Sequence, residues 1–278
     1  MAKNIYLRFP GGRAKALTLS YDDGVESDIR LIEIMKKHGL KGTFNINAGL
    51  FAKEGTVYPK GTVHRRMSQS QVLAAYKDSG MEIAVHGYKH PFWDKMPIAQ
   101  TVCDIVKDRE ALENLFDTTI RGAAYPYGSF NDDVIDALDK CGIVYCRAVK
   151  PNAGFQLPQN FLAWEPTCHH KANSLELFKQ FAERPARPEP NLFYLWGHSY
   201  EFDGEDNWHI IEEFAEYAGG RDDIWYATNM EIYEAYTAFK RLVISFDGTR
   251  IYNPNCTPVW FAADGKTYEI GAGESLCI

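Results

Sequence analysis

The sequence predicts an α/β protein, a closed or nearly closed barrel of seven or eight parallel strands with a small β appendage at its C-terminal end. Three observations carry this expectation. From about residue 15 to 240, short β-rich runs alternate with longer stretches of helical period. Parallel strands need long crossovers, and the helical stretches supply them. After about Lys240 the rhythm changes to short β-like runs separated by hairpin-type turns. A doubly wound open sheet is the alternative arrangement of the same alternation.

The β-like runs of the first part are Ala16–Ser20, Thr43–Asn47, Glu82–His86, Gly122–Tyr125, Ile143–Arg147, Phe161–Glu165, Leu192–Trp196 and Ile224–Ala227. Helical stretches begin near Glu26, Ser68, Pro97, Asn131, Ser174, Trp208 and Asn229. Ser68 with Gln71 three residues later reads as a capping box. The tail carries runs at Leu242–Phe246, Thr249–Tyr252, Val259–Ala262 and Thr267–Ile270, with Asp247-Gly248 and Asp264-Gly265 between them. Residues 241–278 are too few to hold a core alone, so they are expected to pack on a barrel formed by residues 1–240.

Composition narrows the functional classes. Thirty Lys and Arg against 37 Asp and Glu give a net charge of −7, which disfavours a nucleic-acid partner. With 45% apolar and 24% charged residues the chain is an ordinary globular one. No apolar run approaches the roughly 20 residues that span a bilayer. The six cysteines are scattered without a C-x-x-C pair, and Met1–Arg13 holds no signal-type apolar stretch, so a cytoplasmic location is expected. The oligomeric state is open.

Catalytic groups of a parallel barrel come from the C-terminal ends of its strands. The first strand ends in Asp22, Asp23 and Gly24. Neighbouring side chains on a strand point to opposite faces, so only a turn brings both carboxylates to one site. The third strand ends in His86, Gly87, Tyr88, Lys89 and His90. Histidines at i and i+4 share a face if the segment makes a helical turn, a spacing suited to two ligands of one metal. The fourth ends in Tyr125, Pro126, Tyr127 and Gly128, a tight turn that aims the Tyr127 N–H as an oxyanion donor. The seventh ends in Trp196, Gly197 and His198, and a histidine just past a buried strand suits a general acid. His169 and His170 follow the sixth run as candidates for substrate contact. His38, His64 and His209 belong to no constellation and read as surface.

Taken together, these four strand ends resemble the NodB-type polysaccharide deacetylases, family 4 of the carbohydrate esterases, over about residues 15–235. The resemblance implies a distorted (β/α) barrel and metal-dependent removal of N- or O-linked acetyl groups from a small or oligomeric carbohydrate. By position, it makes Asp22 the general base, Asp23, His86 and His90 the metal triad, the Tyr127 N–H the oxyanion donor and His198 the general acid. The two imidazoles favour zinc, and cobalt, nickel and manganese also suit the site. Alternatives are an amidohydrolase of a small non-sugar C–N bond, in the allantoinase-like branch, and a non-catalytic carbohydrate-binding protein.

The chain departs from the family pattern in four places. Gly87 stands where Ser or Thr is usual. Ala124 stands where an arginine usually tethers the base, and Arg147 is the expected substitute. No Asp lies between Lys140 and His198 to pair with the acid, which leaves Glu165, beside Trp164, or Glu201. Trp196 and Tyr194 replace leucines, suggesting a narrower pocket. Tyr125, Trp164, Trp196 and Glu201 are the expected substrate-binding residues.

Overall fold

The computed structural model describes every residue except 1, 2, 153 and 186. An edge strand β1 (Ile5–Arg8) precedes the alternating part. That part runs β2 (Lys15–Asp22), α1 (Ser27–Lys37), β3 (Gly42–Ile46), α2 (Gln69–Tyr76), β4 (Glu82–Val85) and α3 (Ile98–Phe116). It continues β5 (Gly122–Ala124), α4 (Asp132–Lys140), β6 (Tyr145–Arg147), β7 (Cys168–His169), α5 (Ser174–Ala182) and β8 (Asn191–Gly197). It closes with α6 (Tyr200–Gly204), α7 (His209–Ala218), β9 (Ile224–Tyr226) and α8 (Asn229–Lys240). The capping box at Ser68 and Gln71 forms as expected.

The parallel sheet has the order β6-β5-β4-β3-β2-β8-β7, and β9 lies along the lower end of β2. It curls into a distorted barrel that is open between β6 and β7. β2 is buried along its whole length, as a strand at the centre of such a sheet must be. A core of aromatic side chains fills the space between sheet and helices. Phe193 of β8 meets Phe178 and Phe181 of α5 and Phe214 of α7 at ring distances of 5.1–6.0 Å.

One expected strand is absent. Phe161–Glu165 forms a 3-10 turn over Phe161–Ala163, where the Asn160 side chain accepts from the Leu162 amide at 2.9 Å. Pro166 then removes a ladder donor. Only Trp164 bridges to Arg147, so this segment plugs the opening between β6 and β7 without joining the sheet.

The C-terminal segment forms β10 (Val243–Ile244), β11 (Arg250–Tyr252), β12 (Val259–Ala263), β13 (Lys266–Ile270) and β14 (Ser275–Cys277). These make two antiparallel sheets, β10-β11-β14 and β1-β12-β13. The first strand of the chain thus completes the tail's sheet, Ile5 opposite Ala263 through Arg8 opposite Trp260. Leu242, Ile251, Val259, Phe261 and Ile270 form a small core that packs on Ala238 and Phe239 of α8. No helix among the described residues is long and apolar enough to cross a membrane.

Phe193 is fully buried among four other phenylalanines. Phe193→Ala is expected to lower the unfolding free energy by about 3–5 kcal/mol in urea denaturation. A loss below about 1 kcal/mol would show that the aromatic cluster relaxes around the cavity.

Candidate metal and acid-base site

The site is built at the C-terminal ends of the strands. Asp22, the last residue of β2, is 2% exposed. Its Oδ1 accepts from Asn45 Nδ2 at 2.8 Å, and its Oδ2 accepts from Arg147 Nη2. Arg147, at the end of β6, is itself fully buried and lies 4.4 Å over the Trp196 ring. Burial opposes the Asp22 charge. Arg147, His86 and His198 outweigh it and hold the carboxyl below its usual pKa. Asp22 Oδ2 also faces His86 Nε2 at 3.7 Å and His198 Nε2 at 3.8 Å.

Asp23 turns to the same side because its backbone adopts φ 89°, a conformation rare for a non-glycine residue. Arg66 compensates the strain. Its Nη1 donates to the Asp23 carbonyl and its Nη2 donates to Oδ1 at 2.8 Å. His64 Nε2 lies 3.2 Å from Oδ2. Burial raises the Asp23 pKa, but His64 and Arg66 dominate and leave it far below the usual carboxylate range.

His86 and His90 meet, with Nε2 atoms 3.2 Å apart. The backbone between them is a tight turn rather than the expected helical turn. Gly87 and His90 both have positive φ, at 76° and 53°, and the His90 amide bonds the Gly87 carbonyl. This explains glycine at position 87. The conformation is left-handed, and a Cβ would lie 3.0 Å from Pro126 Cγ and 3.1 Å from Pro91 Cδ.

Two carboxylates of α3 hold this turn. Asp104 accepts from the Tyr88 amide at 2.9 Å and from Trp93 Nε1 at 3.0 Å. Asp108 accepts from the His86 amide at 3.1 Å and the Ala48 amide at 2.7 Å, and burial pushes its pKa up to about 8. Asn47 donates to the His86 and Gly87 carbonyls at 2.5 and 2.8 Å.

The donor set fits a cation. His86 Nδ1 lies 2.9 Å from the Ala124 carbonyl, which fixes the proton on Nδ1 and leaves the Nε2 lone pair free. Asp23, His86 and His90 each turn a ligand atom to within 4.8 Å of the others. Burial lowers the pKa of both histidines, His90 to about 4, so both are neutral at neutral pH, as metal ligands would have to be. Ala124, where an arginine was missed, thus serves through its carbonyl.

The remaining expected residues divide. Tyr127 sits in a 3-10 turn after β5 with φ 59°, and its ring is stacked 3.8 Å from Phe92 and edge-on to His90. His198 follows β8. Its partner in space is Glu201, whose Oε1 is 3.4 Å from His198 Nδ1, so Glu201 meets His198 rather than lining a substrate wall. Glu165 instead pairs with Lys150 at 3.5 Å. Tyr125 and Trp164 are each 1% exposed and offer no face to a substrate. Tyr125 donates to the Leu162 carbonyl at 2.5 Å, and Trp164 packs on Phe161, Tyr145 and Tyr194. Trp196 is a floor under Arg147, and His64 is exposed as expected, yet its ring also reaches Asp23.

Arg66, Asn45, Asn47, Asp104 and Asp108 were not anticipated. A signal for two of them exists in the sequence: Asp104 and Asp108 are one turn apart, and Asp108 lies on the helix face that buries Thr101, Ile105 and Leu112. Asn45 and Asn47 alternate at the end of a buried strand, where polar residues require partners.

Residues 10–146 match the family model described as polysaccharide deacetylase. No curated protein sequence matches the chain. Among solved structures, a protein of the polysaccharide deacetylase type from Mycobacterium smegmatis is 17% identical with a TM-score of 0.60, covering 84% of this chain and 94% of that one. A family 4 carbohydrate esterase from Streptomyces lividans, in complex with acetate, is 18% identical with a TM-score of 0.52, covering 77% and 93%. The Streptococcus pyogenes deacetylase PplD, also with acetate, is 17% identical with a TM-score of 0.42 over 48% of this chain, which spans 55% of that protein. At these identities the first two likenesses are likenesses of fold.

His86→Ala is expected to reduce bound zinc from about one equivalent to near none after dialysis, measured by elemental analysis. Unchanged metal content would remove His86 from the ligand set.

Proposed function

Because the chain belongs to the polysaccharide deacetylase family, we propose that it is a metal-dependent hydrolase that removes acetyl groups from a carbohydrate. The convergence of Asp23, His86 and His90 beside a separately tethered Asp22 carries this reading. A bound divalent cation, zinc by preference, supplies Lewis-acid polarisation of the acyl carbonyl and a lowered water pKa.

The chain's own residues do the rest. Asp23, His86 and His90 would hold the cation. Asp22 is fixed by Arg147 and Asn45, so its carboxylate accepts a proton from the attacking water without first rotating. The Tyr127 amide is the donor to the tetrahedral oxyanion. His198, whose Nε2 faces Asp22 across the site, gives its proton to the leaving nitrogen or oxygen. Burial disfavours its charge, but Glu201, Asp22 and Asp23 overcome this and raise its pKa, which suits an acid at neutral pH. Tyr127 is 55% exposed, and its stack with Phe92 beside His90 supplies an apolar face of the kind on which a sugar ring rests.

The test is acetate release from acetylated chito- and xylo-oligosaccharides with and without chelator. Chelator-sensitive release is expected. Binding of these sugars without turnover would favour a non-catalytic protein, and ring opening of a cyclic ureide would favour the amidohydrolase alternative. Asp22→Asn should retain the metal and lose about 10²–10⁴-fold in turnover; near-normal turnover would remove Asp22 from the role of base. His198→Ala should reduce turnover of an N-acetyl substrate more than of a matched O-acetyl one, because an amine is the poorer leaving group. Equal losses would contradict the acid assignment.

A further inference from the structure

A second cluster of imidazoles and carboxylate lies beside the first. His169, His198 and Glu201 bring ligand-type atoms within 4.8 Å of one another. Buried His170 joins them, with Nε2 3.0 Å from Glu201 Oε2. By distance alone this is another cation site. The tautomer of His169 argues otherwise. The Lys171 amide donates to His169 Nδ1 at 3.3 Å, so the proton of that neutral ring sits on Nε2, which faces Glu201 Oε2 at 3.3 Å. A nitrogen that carries a proton has no lone pair for a metal. Lys171 Nζ lies 3.4 Å from the same oxygen, a charge that a cation would have to displace. In the first triad the order is reversed, with His86 protonated on Nδ1 and open on Nε2.

We propose that Glu201 is the positioning carboxylate of His198, held in place by His169, His170 and Lys171. The proposal rests on the reading of His198 as the acid. Glu201 lies three residues beyond His198, and its amide bonds the His198 carbonyl at 3.1 Å, which turns the two side chains together at the start of α6. Its Oε1 faces His198 Nδ1, and its Oε2 gathers three nitrogen groups from the end of β7 and the turn after it. With Nδ1 so engaged, His198 presents Nε2 to the site.

The fold makes room for this arrangement. His170 is stacked between Tyr21 and Phe202, at 5.8 and 4.2 Å. A Cβ on Gly197 would lie 2.0 Å from His170 Nδ1, so β8 carries no side chain where His170 must pack. The charged and titratable groups around His198 are Asp22 and Asp23 at the end of β2, His169 of β7, His170 just after it, and Tyr200 and Glu201 from α6. Burial holds His169 near a pKa of about 3 and lowers His170, so both stay neutral beside a carboxylate that stays ionised.

The experiment is a histidine ¹⁵N NMR titration of the zinc-saturated protein, paired with the pH profile of turnover. In the unaltered protein, neutral His198 is expected as the Nδ1–H tautomer. In Glu201→Gln the His198 midpoint should fall by about one pH unit or more, the usual effect of losing an opposite charge at this range. The alkaline limb of kcat should move by the same amount, and zinc content should stay unchanged. Glu165→Gln should alter none of these. An Nε2–H tautomer in the unaltered protein, an unmoved midpoint in Glu201→Gln, or the loss of a metal equivalent in that variant would overturn the proposal. The tautomer needs no variant, and the titration reads His198 even if no acetyl substrate is turned over.

Discussion

The buried ion pair of Asp22 and Arg147 is the constraint on which the site depends. Neither side chain has appreciable contact with solvent. A lone carboxylate at that depth would be strongly destabilised, and so would a lone guanidinium. Each therefore fixes the other, and Asn45 and the Trp196 face complete the enclosure. The pair links β2, at the centre of the sheet, to β6 at its open edge. Geometry at the site and closure of the barrel mouth are consequently one problem. With Asp22 committed to Arg147, the neighbouring Asp23 is left for a different task, and its left-handed backbone turns it toward the two histidines.

Electrostatics divides the labour among chemically similar groups. Asp22 and Asp23 are adjacent carboxylates, but one faces Arg147 and the other Arg66 and His64. His86, His90 and His198 are all largely buried imidazoles. Desolvation dominates the first two and keeps them neutral, the state that metal binding would require. His198 has a carboxylate at each end of its ring, and its pKa moves in the opposite direction. The helix behind the site adds rigidity, because Asp104 and Asp108 bind amides of the histidine turn.

The strand ends were legible because two patterns coincide there: a buried β-run stops, and polar residues of matching chemistry begin. Arg147 was legible as a stand-in because it ends a strand next to the one that carries Ala124. The supports were less visible. Arg66 and His64 sit in a long connection without period, about forty positions from Asp23. The pairing of Glu201 with His198 exists only because a helix starts at Tyr200, which places them one turn apart. Tyr125 and Trp164 show the opposite error. An aromatic residue at a strand end was read as facing a ligand, although the opening between β6 and β7 needs bulky side chains to fill it. The strand at Phe161–Glu165 failed for a local reason, since Asn160 and Pro166 favour a turn. The pairing of β1 with β12 joins residues some 250 positions apart and leaves no local trace.

The most direct measurement of the central claim is anomalous diffraction at the zinc edge from crystals grown with zinc. The account predicts one strong peak at about 2.0–2.2 Å from His86 Nε2, His90 Nε2 and an Asp23 carboxylate oxygen, with Asp22 still bound to Arg147. A peak among His169, His198 and Glu201 with none at the first triad, or Asp22 itself as a ligand, would contradict it.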